Sequence, residues 1–325
     1  MRIAINGFGR IGRTLYRILC SQKKHQIVAI RDISNPQVLS HLLKYDSIHG
    51  TFSGDIDYDH DHIKVNNQIT YVFNASKKQS LPWKSLNVDI VFECTGLFKT
   101  MKDNMFHIRS GAKKVVLCSP PDDDSIDMVV LGVNHTSLKV SSKIISNASC
   151  TTNCAAPMLK VLDDAFGLDS AYVTTVHSYT SDQNLHDSIH SDLRRARSAP
   201  NSIIPTTTGA AKALSSIFPN IELGGCGIRV PVSNCSLTDI TCVIKHNTDI
   251  NTVNNLFHSA SKNMLKNILY YNIDPIVSID VKSNRYSCVF DSELTYVSRN
   301  MVKVVGWYDN EYGYCSRLVD LLTYF

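Results

Sequence analysis

The run SNASCTTNC at 146–154 sets Cys150 among small polar residues. A helix-like stretch follows at once, 155–166, with apolar residues at 158, 159, 161, 162 and 166. Cys150 therefore falls at or just before a helix N-terminus, where unpaired N–H groups and the helix dipole favour thiolate over thiol. A thiolate can attack a carbonyl carbon, and such a nucleophile is usually paired with a base. Of the twelve histidines, His177 is the best placed, at the far end of the strand-like run Ala171–His177 and in front of a polar loop. Spacing alone does not join the two residues; that is left to the fold. Cys154, one helical turn after Cys150, reads as structural.

A second pattern points to a nucleotide. The strand ending at Asn6 runs into Gly7-Phe8-Gly9-Arg10-Ile11-Gly12, a G-x-G-x-x-G at a strand-to-helix junction. Gly7 permits the tight turn, Gly9 lets backbone approach a pyrophosphate, and Gly12 lets the helix pack closely on the strand. Asp32 ends the second strand, 20 residues after Gly12, where a carboxylate can accept hydrogen bonds from an adenosine ribose. Asp32 could instead merely cap the next helix, but motif, placement and acid together favour a dinucleotide. Thr95-Gly96 and Ser119 follow two further strands and are expected to line the same crevice.

These residues must be positioned by a layered α/β fold. Residues 1–150 alternate short apolar runs with helix-like segments. Strands are expected at Ile3–Asn6, Gln26–Arg31, Val88–Glu93, Lys114–Leu117 and Met128–Leu131, and helices at Ile11–Ser21 and Pro36–Leu43. Continuous apolar strands with helices between them suggest a parallel sheet covered on both faces. The second half carries β-rich runs at Ala171–His177, Gly227–Val232, Leu237–Lys245 and Met301–Gly306.

Composition sets outer bounds. A chain of 325 residues, 43% hydrophobic and 19% charged, has ample material for about two domains and is not a disordered chain. No stretch reaches the roughly 18 uninterrupted apolar residues of a membrane span. The net charge of +4 is spread along the chain and does not require nucleic acid. The ten cysteines are scattered, most in apolar strand-like runs, and Met1 leads straight into a strand rather than a signal peptide. Reduced thiols in a cytoplasmic protein are expected. No tight Cys/His cluster suggests a metal site.

At full length the sequence resembles the phosphorylating glyceraldehyde-3-phosphate dehydrogenase family. The resemblance rests on NGFGRIGR at 6–13, LLKYDSIHG at 42–50, SNASCTTNC at 146–154, TVHSYTSDQ at 175–183, DLRRAR at 192–197, IIPTTTGAAKA at 203–213, IRVP at 228–231 and WYDNEYG at 307–313. It implies a Rossmann-type NAD-binding domain at 1–149 and an α+β catalytic domain with a mainly antiparallel sheet at 150–308. The last helix, within 309–325, would return to the first domain. It further implies a homotetramer, in which the segment Thr180–Pro200 reaches a neighbouring subunit's cofactor site.

The resemblance also implies roles. Cys150 would attack the aldehyde of D-glyceraldehyde 3-phosphate, His177 would take the proton, and inorganic phosphate would cleave the resulting thioester. Thr180, Asp182 and Arg229 would hold the substrate phosphate. Ser149, Thr151, Thr208 and Gly209 would hold inorganic phosphate, with Arg195 nearby, and Asn310 would hold the nicotinamide carboxamide. Erythrose-4-phosphate dehydrogenase and a non-catalytic NAD- or RNA-binding protein are the alternatives; Tyr179, Thr180 and Asp182 favour the triose. Two features depart from the family pattern. Arg31 precedes Asp32 where a small or neutral residue is more usual, and Ser188-Ile189 stands where many NAD-specific members have Leu-Pro.

Overall fold

A computed structural model describes residues 1–75, 81–139 and 141–325. The chain divides into two compact units. The first comprises Met1–Val129, Ser137–Ala148 and Leu318–Phe325; the second comprises Val130–Thr136 and Ser149–Arg317.

Among the described residues the first unit is built on nine strands: β1 (Arg2–Asn6), β2 (Gln26–Asp32), β3 (Ile56–Tyr58), β4 (His62–Val65), β5 (Gln68–Asn74), β6 (Ile90–Glu93), β7 (Lys114–Leu117), β8 (Asp127–Met128) and β9 (Ile144–Ser146). Their order is β3-β4-β5-β2-β1-β6-β7-β9-β8. Pairing is parallel from β5 through β8, and only the β3-β4-β5 edge is antiparallel. The chain winds outward from β1 in both directions, so the carboxyl ends of β1 and β6 form the switch point where such sheets bind ligands. Ile3, Ala4, Ile5, Val91 and Val115 are fully buried, as continuous apolar strands of a doubly covered sheet should be.

Local chemistry fixes the helices of this unit. Helix α1 (Arg10–Gln22) starts at Gly9 without a side-chain cap. Helix α2 (Pro36–Lys44) has proline in its first turn, and Asn35 Oδ1 accepts from Val38 N at 3.0 Å. Thr100 and Asp103 form a capping box at the start of α3 (Met101–Arg109).

The second unit carries helix α4 (Cys150–Phe166), β10 (Leu168–Ser178), β11 (Ile204–Thr206), α5 (Gly209–Ile217), β12 (Glu222–Val230), β13 (Ser236–Ile244), α6 (Ile250–Lys262), β14 (Leu269–Asn272), β15 (Cys288–Asp291), β16 (Tyr296–Ser298) and β17 (Met301–Tyr308). The sheet order is β11-β12-β10-β13-β17-β15-β14, with β16 on β17. It is mainly antiparallel; β10–β12 and β14–β15 are parallel. Helix α4 lies on β10, β13, β15 and β17, flanked by α5 and α6. A last helix, α7 (Tyr312–Leu321), begins in this unit.

Some sequence expectations need correction. The strand expected at Met128–Leu131 is only β8, because Val130–Thr136 turns away to join the second unit. There Gly132 fits against Leu265 and Ile268, whose side chains a β-carbon would meet at 2.7 and 2.8 Å. The β3–β5 edge, α6, β14 and β15 were not read from the sequence at all. Only the part of α7 from Leu318 onward groups with the first unit, rather than the whole of 309–325.

Candidate active site

Ser149 caps α4: its Oγ accepts from Thr152 N at 3.1 Å. Cys150 is thus the first residue of the helix, a turn earlier than the apolar pattern alone indicated. Ala148, just before the cap, has φ +52°, a left-handed conformation that bends the chain sharply into the helix. His177 is the penultimate residue of β10, and its Nε2 lies 3.5 Å from Cys150 Sγ. The fold therefore brings together the two residues that spacing could not join.

The imidazole is gripped at its other nitrogen. Nδ1 is 2.7 Å from Ser178 O and 2.6 Å from Arg229 Nη1. Arg229 is His177's register partner across the parallel pair β10–β12. A guanidinium only donates and a carbonyl only accepts, so two neutral tautomers are in competition. With the proton on Nδ1 and directed at Ser178 O, Nε2 offers a lone pair to the sulfur. With Nδ1 accepting from Arg229, Nε2 carries the hydrogen. Burial, then the Arg229 charge, lowers the His177 pKa to about 3, so the ring is neutral at pH 7.

At Cys150 the helix start, which favours a thiolate, is opposed by desolvation. Burial pushes the Cys150 thiol up, and Arg229 and Thr151 only partly offset it. Desolvation outweighs the helix dipole here, leaving a neutral thiol facing a neutral imidazole.

In the first unit the glycine motif is shaped as a phosphate-binding turn. Gly7 has φ +89°, and a β-carbon there would meet Thr95 N at 2.8 Å. A β-carbon on Gly12 would meet Gly7 O at 2.3 Å, while the space beside Gly9 is open. Helix α1 starts at Gly9 without a side-chain cap, and a helix start of this kind, reached through a close glycine turn, fits the pyrophosphate of a dinucleotide. Asp32 anchors the turn: its Oδ2 accepts from Phe8 N at 2.7 Å and its Oδ1 from Ser34 N at 3.1 Å. The Arg10 side chain is paired to Asp46 at 2.7 Å. Arg31 is tied to Asn6 Oδ1 at 3.1 Å and Ala75 O at 3.3 Å. Thr95 and Gly96 follow the end of β6, with Thr95 packed against the Gly7 turn, and Ser119 follows the end of β7.

Comparison with known proteins matches both parts of the chain to one family. Residues 1–101 match the family described as glyceraldehyde 3-phosphate dehydrogenase, NAD binding domain, and residues 149–310 match its C-terminal domain. The chain is 46% identical to a chromosomal glyceraldehyde-3-phosphate dehydrogenase of Cupriavidus necator, covering 98% of this chain and 97% of that one. It is 47% identical to glyceraldehyde-3-phosphate dehydrogenase of Mycobacterium avium, covering 99% and 98%. The corresponding Pseudomonas aeruginosa protein is 45% identical, covering 98% and 96%.

The chain belongs to the glyceraldehyde-3-phosphate dehydrogenase family.

The residues that the family resemblance assigned to phosphate fall into two arrangements. Thr208 caps α5, with its Oγ1 3.2 Å from Ala210 N, and Gly209 is the first, exposed residue of that helix. Ser149 and Thr208 are thus both helix caps, at two N-termini that suit anions. Arg195 donates to Asp182 Oδ2 at 2.7 Å, Thr206 Oγ1 at 2.9 Å and Thr207 O at 3.0 Å. Asp182 is therefore in an ion pair with Arg195. Burial pushes its carboxyl up, but Arg195 and His190 outweigh this and hold it low. Thr180 N and Oγ1 both donate to Gln183 Oε1, at 2.8 and 3.2 Å.

Thr151, expected in the inorganic-phosphate pocket, is the second residue of α4. It is buried, and its hydroxyl bonds Tyr308 OH at 2.9 Å. Tyr308 OH also meets Thr175 Oγ1 at 2.9 Å, and its ring packs edge-on against His177. Tyr308 and Thr175 were missed in the sequence, although Tyr308 lies inside the WYDNEYG run. Asn310 Oδ1 accepts from Ser178 Oγ at 3.0 Å and Ser236 Oγ at 3.2 Å. Ser236 Oγ also accepts from Ser178 N at 3.1 Å, which ties the end of β10 to Asn310. Glu93 was also missed. This buried acid ends apolar β6 and bonds Asn6 Nδ2, Thr95 N and Thr95 Oγ1, so it fixes both sides of the Gly7 turn.

Proposed function

We propose that this protein oxidises D-glyceraldehyde 3-phosphate and phosphorylates the product to 1,3-bisphosphoglycerate, with Cys150 as nucleophile and His177 as base. The 3.5 Å approach of Cys150 Sγ to His177 Nε2, with Arg229 on the opposite ring nitrogen, is the observation that carries this reading.

The neutral pair sets the order of events. Cys150 loses its proton to Nε2 as the sulfur attacks the aldehyde carbon, so a scarce thiolate need not form in advance. The imidazolium formed can donate to the developing oxyanion. A substrate phosphate drawn to Arg229 removes that cation from Nδ1. The tautomer with Nδ1–H on Ser178 O, which leaves Nε2 as the acceptor, is then favoured. His177 thereby becomes a stronger base only when substrate is in place. NAD, when bound, supplies the two-electron acceptor that turns the hemithioacetal into a thioester. His177 removes the hydroxyl proton in that step. Phosphate held at the capped helix starts near Ser149 and at Thr208-Gly209 then attacks the thioester carbonyl, and Cys150 leaves as the thiolate.

Asp32 supports NAD over NADP. Its carboxylate is fixed by Phe8 N and Ser34 N, and a 2′-phosphate would bring like charge against it. Arg31, a cation that would favour NADP from this strand, is held by Asn6 and Ala75.

The homotetramer is supported by Leu185, Ile189 and Leu193, which are 67%, 100% and 82% exposed in the Thr180–Pro200 segment. Apolar side chains so exposed on one loop suit burial against another subunit. A cytoplasmic location suits a reaction that needs Cys150 as a reduced thiol. Among the described residues, no helix is long and apolar enough to cross a membrane.

Turnover on D-glyceraldehyde 3-phosphate and D-erythrose 4-phosphate, with and without inorganic phosphate, tests the reading. Preference for the triose and dependence on phosphate support it. Preference for the tetrose, or phosphate-independent release of the free acid, would overturn it.

A further inference from the structure

Two cysteines that the proposed chemistry does not use stand side by side at the carboxyl ends of neighbouring strands. Cys94 follows β6 and Cys118 follows β7. The parallel register pairs Glu93 with Leu117, so the two cysteines are the next residues along the ladder. Their sulfurs are 3.4 Å apart, and both residues are partly exposed. By contrast, Cys154, Cys235, Cys242, Cys288 and Cys315 are buried.

The backbone spacing already suits a bond. A disulfide needs Cα atoms roughly 4.4–6.8 Å apart and sulfurs at about 2.05 Å. Neighbouring strands lie about 4.8 Å apart, so closure is mainly a side-chain movement. That movement acts on the nucleotide-binding turn. Cys94 N donates to Asn6 O at 2.7 Å, and the Cys94–Thr95 peptide is the surface against which Gly7 fits: a Gly7 β-carbon would meet Cys94 C at 2.9 Å. Thr95-Gly96 and Ser119 follow the two cysteines directly.

We propose that Cys94 and Cys118 are a peroxide-sensitive dithiol whose oxidation to a disulfide weakens dinucleotide binding in the adjoining crevice. One thiolate attacks hydrogen peroxide; the S–O bond forms, the O–O bond breaks and hydroxide leaves. The second sulfur attacks the sulfenic acid; the S–S bond forms, the S–O bond breaks and the oxygen departs as water. The two sulfurs give up two electrons, the peroxide accepts them, and the two thiol protons complete two waters. A dithiol reductant reverses the change by exchange. The effect on binding, though not the cross-link itself, rests on the reading of the glycine turn as the NAD site.

The test uses the full chain carrying Cys150→Ser, so that the nucleophile does not compete for oxidant. Hydrogen peroxide treatment should yield a Cys94–Cys118 cross-linked peptide by mass spectrometry, reversed by dithiothreitol. The NAD dissociation constant, measured by calorimetry, should rise about tenfold on oxidation. Adding Cys94→Ser, or separately Cys118→Ser, should abolish both changes. Both thiols remaining open to iodoacetamide after peroxide, or a cross-link elsewhere, would overturn the site. A cross-link that forms without weakening NAD would overturn its effect on the cofactor. Failure of the reduced protein to bind NAD would instead overturn the reading of the glycine turn.

Discussion

Arg229 Nη1 stands 2.6 Å from His177 Nδ1, and the two residues are direct register partners across β10 and β12. A fixed cation against the ring disfavours a second positive charge there. His177, the proposed base, is therefore kept neutral by burial and by its neighbour, and the same neighbour is the residue expected to receive substrate phosphate.

Replacing Arg229 with Gln should accordingly do two things. The His177 pKa should rise, moving the acid limb of kcat/KM toward neutral pH. The value of kcat/KM should also fall about 10–1000-fold, or ~1.4–4 kcal/mol, from the lost phosphate contact. A pH–rate profile of the variant that coincides with wild type would mean that Arg229 does not act on His177.

His177 also links stability to pH. Its folded pKa is about 3 against an ordinary 6.5, so the unfolded chain binds the extra proton between those values. Stability is then lost as pH falls through that window, at up to about 1.4 kcal/mol per unit. In urea unfolding at pH 7, 5.5 and 4.5, His177→Asn should lose less stability than wild type. Parallel losses would contradict a neutral buried imidazole.

Alkylation of Cys150 should follow the thiol, whose pKa burial raises. The rate with iodoacetamide should climb with pH, about tenfold per unit between pH 6 and 8. A rate that is flat across this range would indicate a preformed thiolate–imidazolium pair.

Tyr308→Phe removes the hydroxyl that bridges Thr151 and Thr175. Two buried threonine hydroxyls lose a partner, and stability should drop by about 1–3 kcal/mol. A denaturation midpoint unchanged from wild type would show that the bridge contributes nothing.

Asp32→Ala should shift the ratio of kcat/KM for NAD over NADP toward NADP by about tenfold or more. Some loss with both cofactors is also expected, because Phe8 N loses its acceptor. A ratio that does not move would remove Asp32 from cofactor selection.

The sequence made the chemistry legible where backbone need and residue type coincide. Gly7 and Gly12 sit where a β-carbon would collide with backbone, so the glycine pattern carried the turn on its own. The cap of α4 was half visible: polar residues masked the first turn, and the apolar period began only later. Arg229 against His177 could not be read, because β10 and β12 are far apart in sequence and their register is a tertiary fact. The desolvation that raises the Cys150 pKa could not be read for a similar reason, since it depends on what packs around the helix start. Glu93 left a usable signal, an acid ending an otherwise apolar strand, but its partners Asn6 and Thr95 emerge only when β1 and β6 pair.

Covalent capture on Cys150 is tested most directly by mixing the enzyme with NAD and D-glyceraldehyde 3-phosphate in phosphate-free buffer, then digesting it for mass spectrometry. The expected result is a single burst of NADH close to one per subunit, with the acyl group as a thioester on Cys150, followed by its discharge as the acyl phosphate when inorganic phosphate is added. Sustained NADH formation without phosphate, or an acyl group on any residue other than Cys150, would contradict it.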